Sequence, residues 1–173
     1  LVGSVRCVSE TAHTQANNLN GVDATYIQAT ISETTAANLA AIAVDNSTRA
    51  SLNKFSVVVS DTTATAAELN AVSAITSVAA DFSNITGIEA SDSAAITTLY
   101  TASTTGLGSE TISVNDTTLN AATLNAINGY TDQEVTITAA TSIEGDAADL
   151  LTAITNTGAG VAAAGLAVPV TVT

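Results

Sequence analysis

Short runs of alternating apolar and polar residues are followed, again and again along the chain, by Ala- and Leu-rich stretches with helical spacing. In one segment residues 57–59 alternate, and Leu69 and Val72 lie further on at the spacing of a helix face. Asp61 or Thr62 stands between the two runs, where the N-cap of that helix is expected. This pattern predicts a strand, a cap and a short helix.

The same arrangement returns later in the chain. Val135 and Ile137 alternate with threonines, and Ile143 leads into Glu144 and Asp146. A predicted buried helix face then follows, made of Ala147, Leu150, Leu151 and Ile154. A strand followed by an acidic cap and a helix is therefore predicted here as well.

Internal repetition is the strongest signal in the sequence. The segment 56–63 returns at 111–118, 55 positions later, and the match continues through the helical stretch that follows each segment. The predicted organisation is a diverged first repeat at 1–55, a second repeat at 56–110, a third at 111–167 and the opening strand of a further repeat at 168–173. Each repeat divides into two similar half-repeats of roughly 20–30 residues.

A half-repeat has too little apolar surface to fold alone, so neighbours are expected to stack and share a core. Adjacent half-repeats connect through a helix, which favours parallel strands. The predicted fold class is α/β, a solenoid of strand and short-helix units with a parallel sheet on one face and helices on the other.

The last residues read as a strand that no helix follows. Such a strand leaves an open sheet edge, which in a stable protein is covered or paired. We expect self-association there through Val168, Val170 and Val172, with copies of the chain or adjacent repeats of a longer chain as partners. Leu1 is interpreted as a processed end or as a cut from such a chain.

The amino-acid composition excludes nucleic acid binding and membrane insertion. The net charge is −13, the only basic residues are Arg6, Arg49 and Lys54, and aromatic residues make up 3% of the chain. Phosphate contacts need lysine and arginine, so nucleic acid is excluded as a partner. Membrane insertion is also excluded, because the longest apolar run, residues 158–170, is too short to span a bilayer.

Carboxylates that recur along the repeats are the candidate metal ligands. Four of them could line one edge of a stack and hold calcium: Asp61, Asp92, Asp116 and Asp146. The spacing fits neither the EF-hand loop nor the glycine- and aspartate-containing nonapeptide of calcium-binding β-rolls. Helix capping is the favoured interpretation of these residues, and calcium is the only cofactor left open.

No motif for catalysis is present, and we predict that the protein is not an enzyme and has no catalytic or cofactor-binding residues. His13 is the only histidine and is expected on a helix surface, and Cys7 is expected in a strand core. An acidic hydrolase is the one enzymatic hypothesis that we keep. It would use carboxylates such as Glu89 and Glu144, although sugar sites are normally lined by aromatic rings.

The Val-Ser-Asp-Thr run near Asp61, the Leu-Asn-Ala runs and the segment 106–117 resemble tandem repeats of giant surface or secreted proteins of marine bacteria, especially cyanobacteria. They also resemble repeats in structural proteins of the phages that infect them. The resemblance implies a non-enzymatic structural or adhesive role at the cell surface or outside the cell. Two alternatives stay open: a virion structural protein, such as a capsid decoration or tail appendage, and a calcium- or glycan-dependent adhesin segment.

Overall fold

The computed structural model describes residues 6–11, 27–31, 35–42, 53–155, 161–163 and 169–173. Over these residues the fold is mixed α/β. The helices are α1 (Ala36–Ala40), α2 (Ala66–Ala74), α3 (Ser93–Thr101), α4 (Ala121–Asn128) and α5 (Ala147–Thr155). Each strand pair that these residues form is parallel, which confirms the predicted parallel pairing.

The strands are short. They are β1 (Arg6–Thr11), β2 (Ile27–Ile31), β3 (Lys54–Ser56), β4 (Thr63–Thr65), β5 (Ala80–Asp81), β6 (Gly87–Ser91), β7 (Thr104–Thr105), β8 (Thr111–Val114), β9 (Thr118–Asn120), β10 (Val135–Ile137), β11 (Ser142–Gly145), β12 (Val161–Ala163) and β13 (Val170–Val172). The chain divides into two compact units whose segments alternate along the sequence.

Unit 1 comprises Leu1–Asp61, Glu68–Asn84 and Ala102–Gly106. It contains a three-stranded sheet in the order β1-β2-β3 and the two-stranded pair β5-β7. Val58 adds an isolated parallel bridge to Asp81 of β5.

Unit 2 comprises Thr62–Ala67, Ile85–Thr101 and Leu107–Thr173. Its larger sheet has the order β12-β10-β8-β6-β4, and its smaller sheet has the order β13-β11-β9. Consecutive helices pack together, α3 against α4 and α4 against α5.

Strand partners lie at a nearly constant distance along the sequence. In unit 2, Thr63 pairs with Gly87 and Gly87 pairs with Thr111, each 24 residues later. In the smaller sheet Ser142 pairs with Thr118, again 24 residues away. This spacing falls within the length predicted for a half-repeat.

The core consists of alternate residues of the strands and of one buried face of each helix. Asn53, Phe55, Val57 and Val59 are buried while the residues between them are exposed, as the alternation predicts. Each helix buries small and aliphatic side chains along one face, as at the first, fourth and seventh positions of α4, which are Ala121, Leu124 and Ile127.

The predicted buried face of α5 is wrong in part. Leu150 is buried, but Leu151 and Ile154 are 63% and 65% exposed, and Ala147 is also exposed. The helix packs on α4 through one stripe only, and in the described part of the chain no further helix packs against its outer side.

The predicted cap of α2 is also wrong. Residues 63–65 form β4, so the helix begins at Ala66 rather than directly after Asp61 or Thr62. Likewise α4 begins at Ala121 with Asn120 as its N-cap, whose side chain accepts from the Thr123 N–H. A short strand therefore separates Asp61 from α2, and another separates Asp116 from α4.

Candidate functional site

Helix N-termini receive side chains from a segment that lies one strand spacing later in the chain. In unit 1 the Ala36 N–H of α1 donates to Asp61 Oδ2 over 2.6 Å. In unit 2 the Ala66 N–H donates to Ser91 Oγ over 2.9 Å, and the Ser93 N–H donates to Asp116 Oδ2 over 2.7 Å. We call these three contacts the cross-caps, because each joins a helix to the half-repeat that follows it.

At the start of α4, the position equivalent to Asp61, Ser91 and Asp116 is occupied by a glycine, Gly145. Gly145 ends β11 beside the first residue of α4, and a Cβ built on it would lie 3.0 Å from Ala121 Cβ and 3.6 Å from Ala121 N. Gly145 therefore faces the start of α4 as Ser91 faces the start of α2, but it brings no side-chain oxygen.

The four candidate metal ligands divide into two kinds. Asp61 and Asp116 are cross-caps, whereas Asp92 and Asp146 cap their own helices. The Ala95 N–H donates to Asp92 Oδ1 over 2.8 Å, and the Asp149 N–H donates to Asp146 Oδ1 over 2.9 Å. Asp61 and Asp116 are thus equivalent to each other, as are Asp92 and Asp146, and calcium binding at these residues stays a prediction.

A metal site would need several ligating side chains close together. Within the ranges described, no group of three or more His, Cys, Asp and Glu side chains could hold a metal ion. Capping of helix N–H groups is what each of the four candidate aspartates does here.

The remaining candidate residues for chemistry are dispersed. Glu89 Oε1 accepts a hydrogen bond from Thr63 Oγ1 over 2.7 Å, and Glu144 lies in β11 opposite Asn120 and Thr171. Cys7 lies in β1, where its backbone pairs with Gln28. His13 is outside the described residues.

The most connected side chain in unit 2 is one that the sequence pattern did not single out. Glu110 is only 1% exposed. Its Oε2 accepts from the Gly108 and Ser109 N–H groups over 2.8 and 2.9 Å, and its Oε1 accepts from the Tyr100 hydroxyl. The sequence did contain a sign of its burial. Glu110 lies two and four positions before the buried Ile112 and Val114 of β8, so along an extended chain its side chain is on the same face as theirs.

Burial raises the pKa of Glu110 above its ordinary value, and the Asp132 carboxylate adds to that shift. The Gly108 and Ser109 N–H groups lower the pKa and so oppose burial. Tyr130 completes the cluster: its ring stacks on that of Tyr100 with centroids 4.7 Å apart and planes inclined by 6°.

The predicted self-association strand lies at one edge of the smaller sheet. β13 pairs with β11, with Val170 opposite Ile143 and Val172 opposite Gly145, and both valines are exposed. β13 also packs against α5. We call the exposed large aliphatic residues of these two elements, Leu151, Ile154, Val170 and Val172, the α5–β13 surface. Val168 lies outside the described residues.

Among the described helices none has the length and apolar character needed to cross a membrane. Comparison of the chain with protein-family profiles, curated proteins and solved structures finds no match.

Proposed function

We propose that the protein is a non-enzymatic structural module of an extracellular surface assembly, wound as an α/β solenoid. In this proposal strands stack on one face and helices on the other, and copies of the chain associate through the α5–β13 surface. The observation that carries the proposal is that exposed aliphatic residues lie on α5 and on β13, which is an edge strand of the smaller sheet of unit 2.

The stacking is supported by the regular spacing of contacts. Both sheets of unit 2 pair residues 23 to 27 positions apart. The cross-caps repeat at a similar spacing, so strands and helix starts advance together. One step per half-repeat is the arrangement expected of a solenoid.

The α5–β13 surface is supported by a comparison of α4 with α5. On α4 the positions that correspond to Leu151 and Ile154 are Asn125 and Asn128, counted from the first residue of each helix. Asn125 Nδ2 donates to the Asp149 carbonyl of α5 over 3.0 Å. The outer side of α5 thus carries aliphatic residues where the covered side of α4 carries amides, which favours an apolar partner.

A second copy is the partner we propose, because β13 extends a parallel ladder that a further strand of the same kind can continue. Net charge opposes this association, since each chain carries −13. Salt shortens the screening length from about 10 Å at 0.1 M to about 3 Å at 1 M. Association should therefore strengthen as salt rises, the opposite of what an ion-paired interface would do.

Sedimentation velocity over a concentration series tests the proposal at low and high salt. The double variant Leu151→Asn with Ile154→Asn copies the residues of α4 and should abolish oligomers. Val78→Asn is the matched control, because Val78 is also exposed, at 41%, but lies in unit 1. Electron microscopy with and without a calcium chelator should show lattices or filaments of the wild type in both conditions.

Monomers of the wild type at every concentration and salt would overturn self-association. Equal loss of oligomers in the Val78→Asn control would overturn the assignment to the α5–β13 surface. Assembly that disappears on chelation would favour the calcium-dependent adhesin instead.

A further inference from the structure

Two of the three tyrosines in this aromatic-poor chain are stacked on each other. Tyr100 lies near the end of α3, and Tyr130 follows α4 directly. Both side chains are partly exposed, so a small oxidant in solution can reach the rings. The third, Tyr26, is outside the described residues.

We propose that Tyr100 and Tyr130 form a site of oxidative cross-linking, at which a peroxidase acting with hydrogen peroxide joins the two rings as an intramolecular dityrosine. The near-parallel rings with centroids 4.7 Å apart place two oxidisable phenols in direct contact. This inference does not depend on self-association through the α5–β13 surface.

The reaction balances with one hydrogen peroxide for each cross-link. Each phenol loses one electron and one proton and becomes a phenoxyl radical. The two radicals combine through a carbon–carbon bond between the ring positions ortho to oxygen. The two ring protons then move to the oxygens and restore both phenols. The peroxide takes up the two electrons and two protons and leaves as two waters.

Glu110 is placed to accept the first proton. A one-electron-oxidised phenol is strongly acidic, and the Tyr100 hydroxyl already donates to Glu110 Oε1. The other carboxylate oxygen is held by the Gly108 and Ser109 N–H groups, which fixes the acceptor in position. Glu110 is therefore a positioning and proton-accepting residue, and its replacement should slow oxidation of Tyr100.

The cross-link would tie α3 covalently to the segment after α4. Closing a loop between residues 100 and 130 restricts the unfolded chain, by the same reasoning that applies to a disulfide. The cross-linked protein should therefore have a higher thermal midpoint than the untreated protein.

The experiment treats the full chain with horseradish peroxidase and hydrogen peroxide. We expect dityrosine fluorescence in a monomer whose mass has fallen by two hydrogen atoms, with a linked peptide pair containing Tyr100 and Tyr130. Tyr130→Phe keeps the ring but should lose both signals. Tyr26→Phe is the matched control and should retain them.

Glu110→Gln tests the proton acceptor, with the fold checked by circular dichroism. The rate of cross-linking should fall. The wild-type rate should rise with pH as Glu110 loses its proton, and this rise should be absent in the variant. An unchanged rate and pH profile would overturn the role of Glu110. Cross-links that involve Tyr26, that join two chains, or that form equally well in denaturant would overturn the site itself.

Discussion

The position of Gly145 allows a missing cross-cap to be built. Ser91 shows the geometry: its Oγ accepts from the Ala66 N–H over 2.9 Å and donates to the Glu89 carbonyl over 2.8 Å. Gly145 faces Ala121 in the same way, without a side chain. Gly145→Ser should therefore supply an oxygen to the start of α4 and be more stable than Gly145→Ala.

Gly145→Ala provides the reference for the magnitude. Both substitutions introduce a Cβ about 3.0 Å from Ala121 Cβ, so α4 must shift by a few tenths of an ångström in each. Both also reduce the freedom of the unfolded chain by the same mechanism, worth about 0.4–1 kcal/mol. The two variants then differ in their free energy of unfolding by one hydrogen bond from a helix N–H to the serine hydroxyl, worth about 1 kcal/mol.

Urea unfolding and thermal unfolding measure that difference directly. Serine should raise the free energy of unfolding above that of the alanine variant by about 1 kcal/mol, or about 2–4 °C in a chain of this size. Equal stability of the two variants would refute the cross-cap reasoning at α4. Lower stability of both than of the wild type would only show that the Cβ contact outweighs the entropy gain.

Three further predictions concern the described contacts. Asp116→Ala removes the acceptor of bonds from the Ser93 N–H and hydroxyl and should cost about 1–2 kcal/mol in urea unfolding, with Asp116→Asn intermediate; no loss would contradict it. Because the folded pKa of Glu110 is raised, its contribution to stability is full below the unfolded pKa and is lost as pH rises through the folded one. Glu110→Gln should thus gain stability relative to the wild type as pH rises, and a constant difference would contradict this. Gly106→Ala, at φ +86° with a Cβ 2.4 Å from Ser83 N, should cost about 2–4 kcal/mol, and a thermal midpoint near wild type would rule out the overlap.

Local patterns were sufficient for part of the elements. Alternation placed a strand at Val135, and helical spacing placed helices within residues 66–74 and 147–155. The strand predicted at residues 57–59 is wrong, because β3 ends at Ser56 and Val58 forms only an isolated bridge to Asp81. Parallel pairing followed from the helical connections between strands. These features depend on residues within about ten positions of one another, so the sequence contains the needed information.

The partners of polar side chains could not be found in the same way. Asp61 was assigned to the helix that follows it, yet it accepts from Ala36, 25 residues earlier. The choice depends on where a helix start and a strand end meet in space, which a pattern along the chain does not specify. The burial predicted for Leu151 and Ile154 failed for the same reason. Helical spacing identifies the apolar face of a helix but does not show whether another element packs against it.

The cross-caps also explain how such an acidic chain stabilises its own fold. With 16 acidic and three basic residues, most carboxylates have no cationic side chain to pair with. A helix N-terminus carries partial positive charge and free N–H donors, so it can take the place of a lysine or arginine. Asp61, Asp92, Asp116 and Asp146 all use that alternative. Two of the four accept from helices that begin 25 and 23 residues earlier in the chain, so these acidic residues stabilise contacts between distant segments despite the net repulsion of the chain.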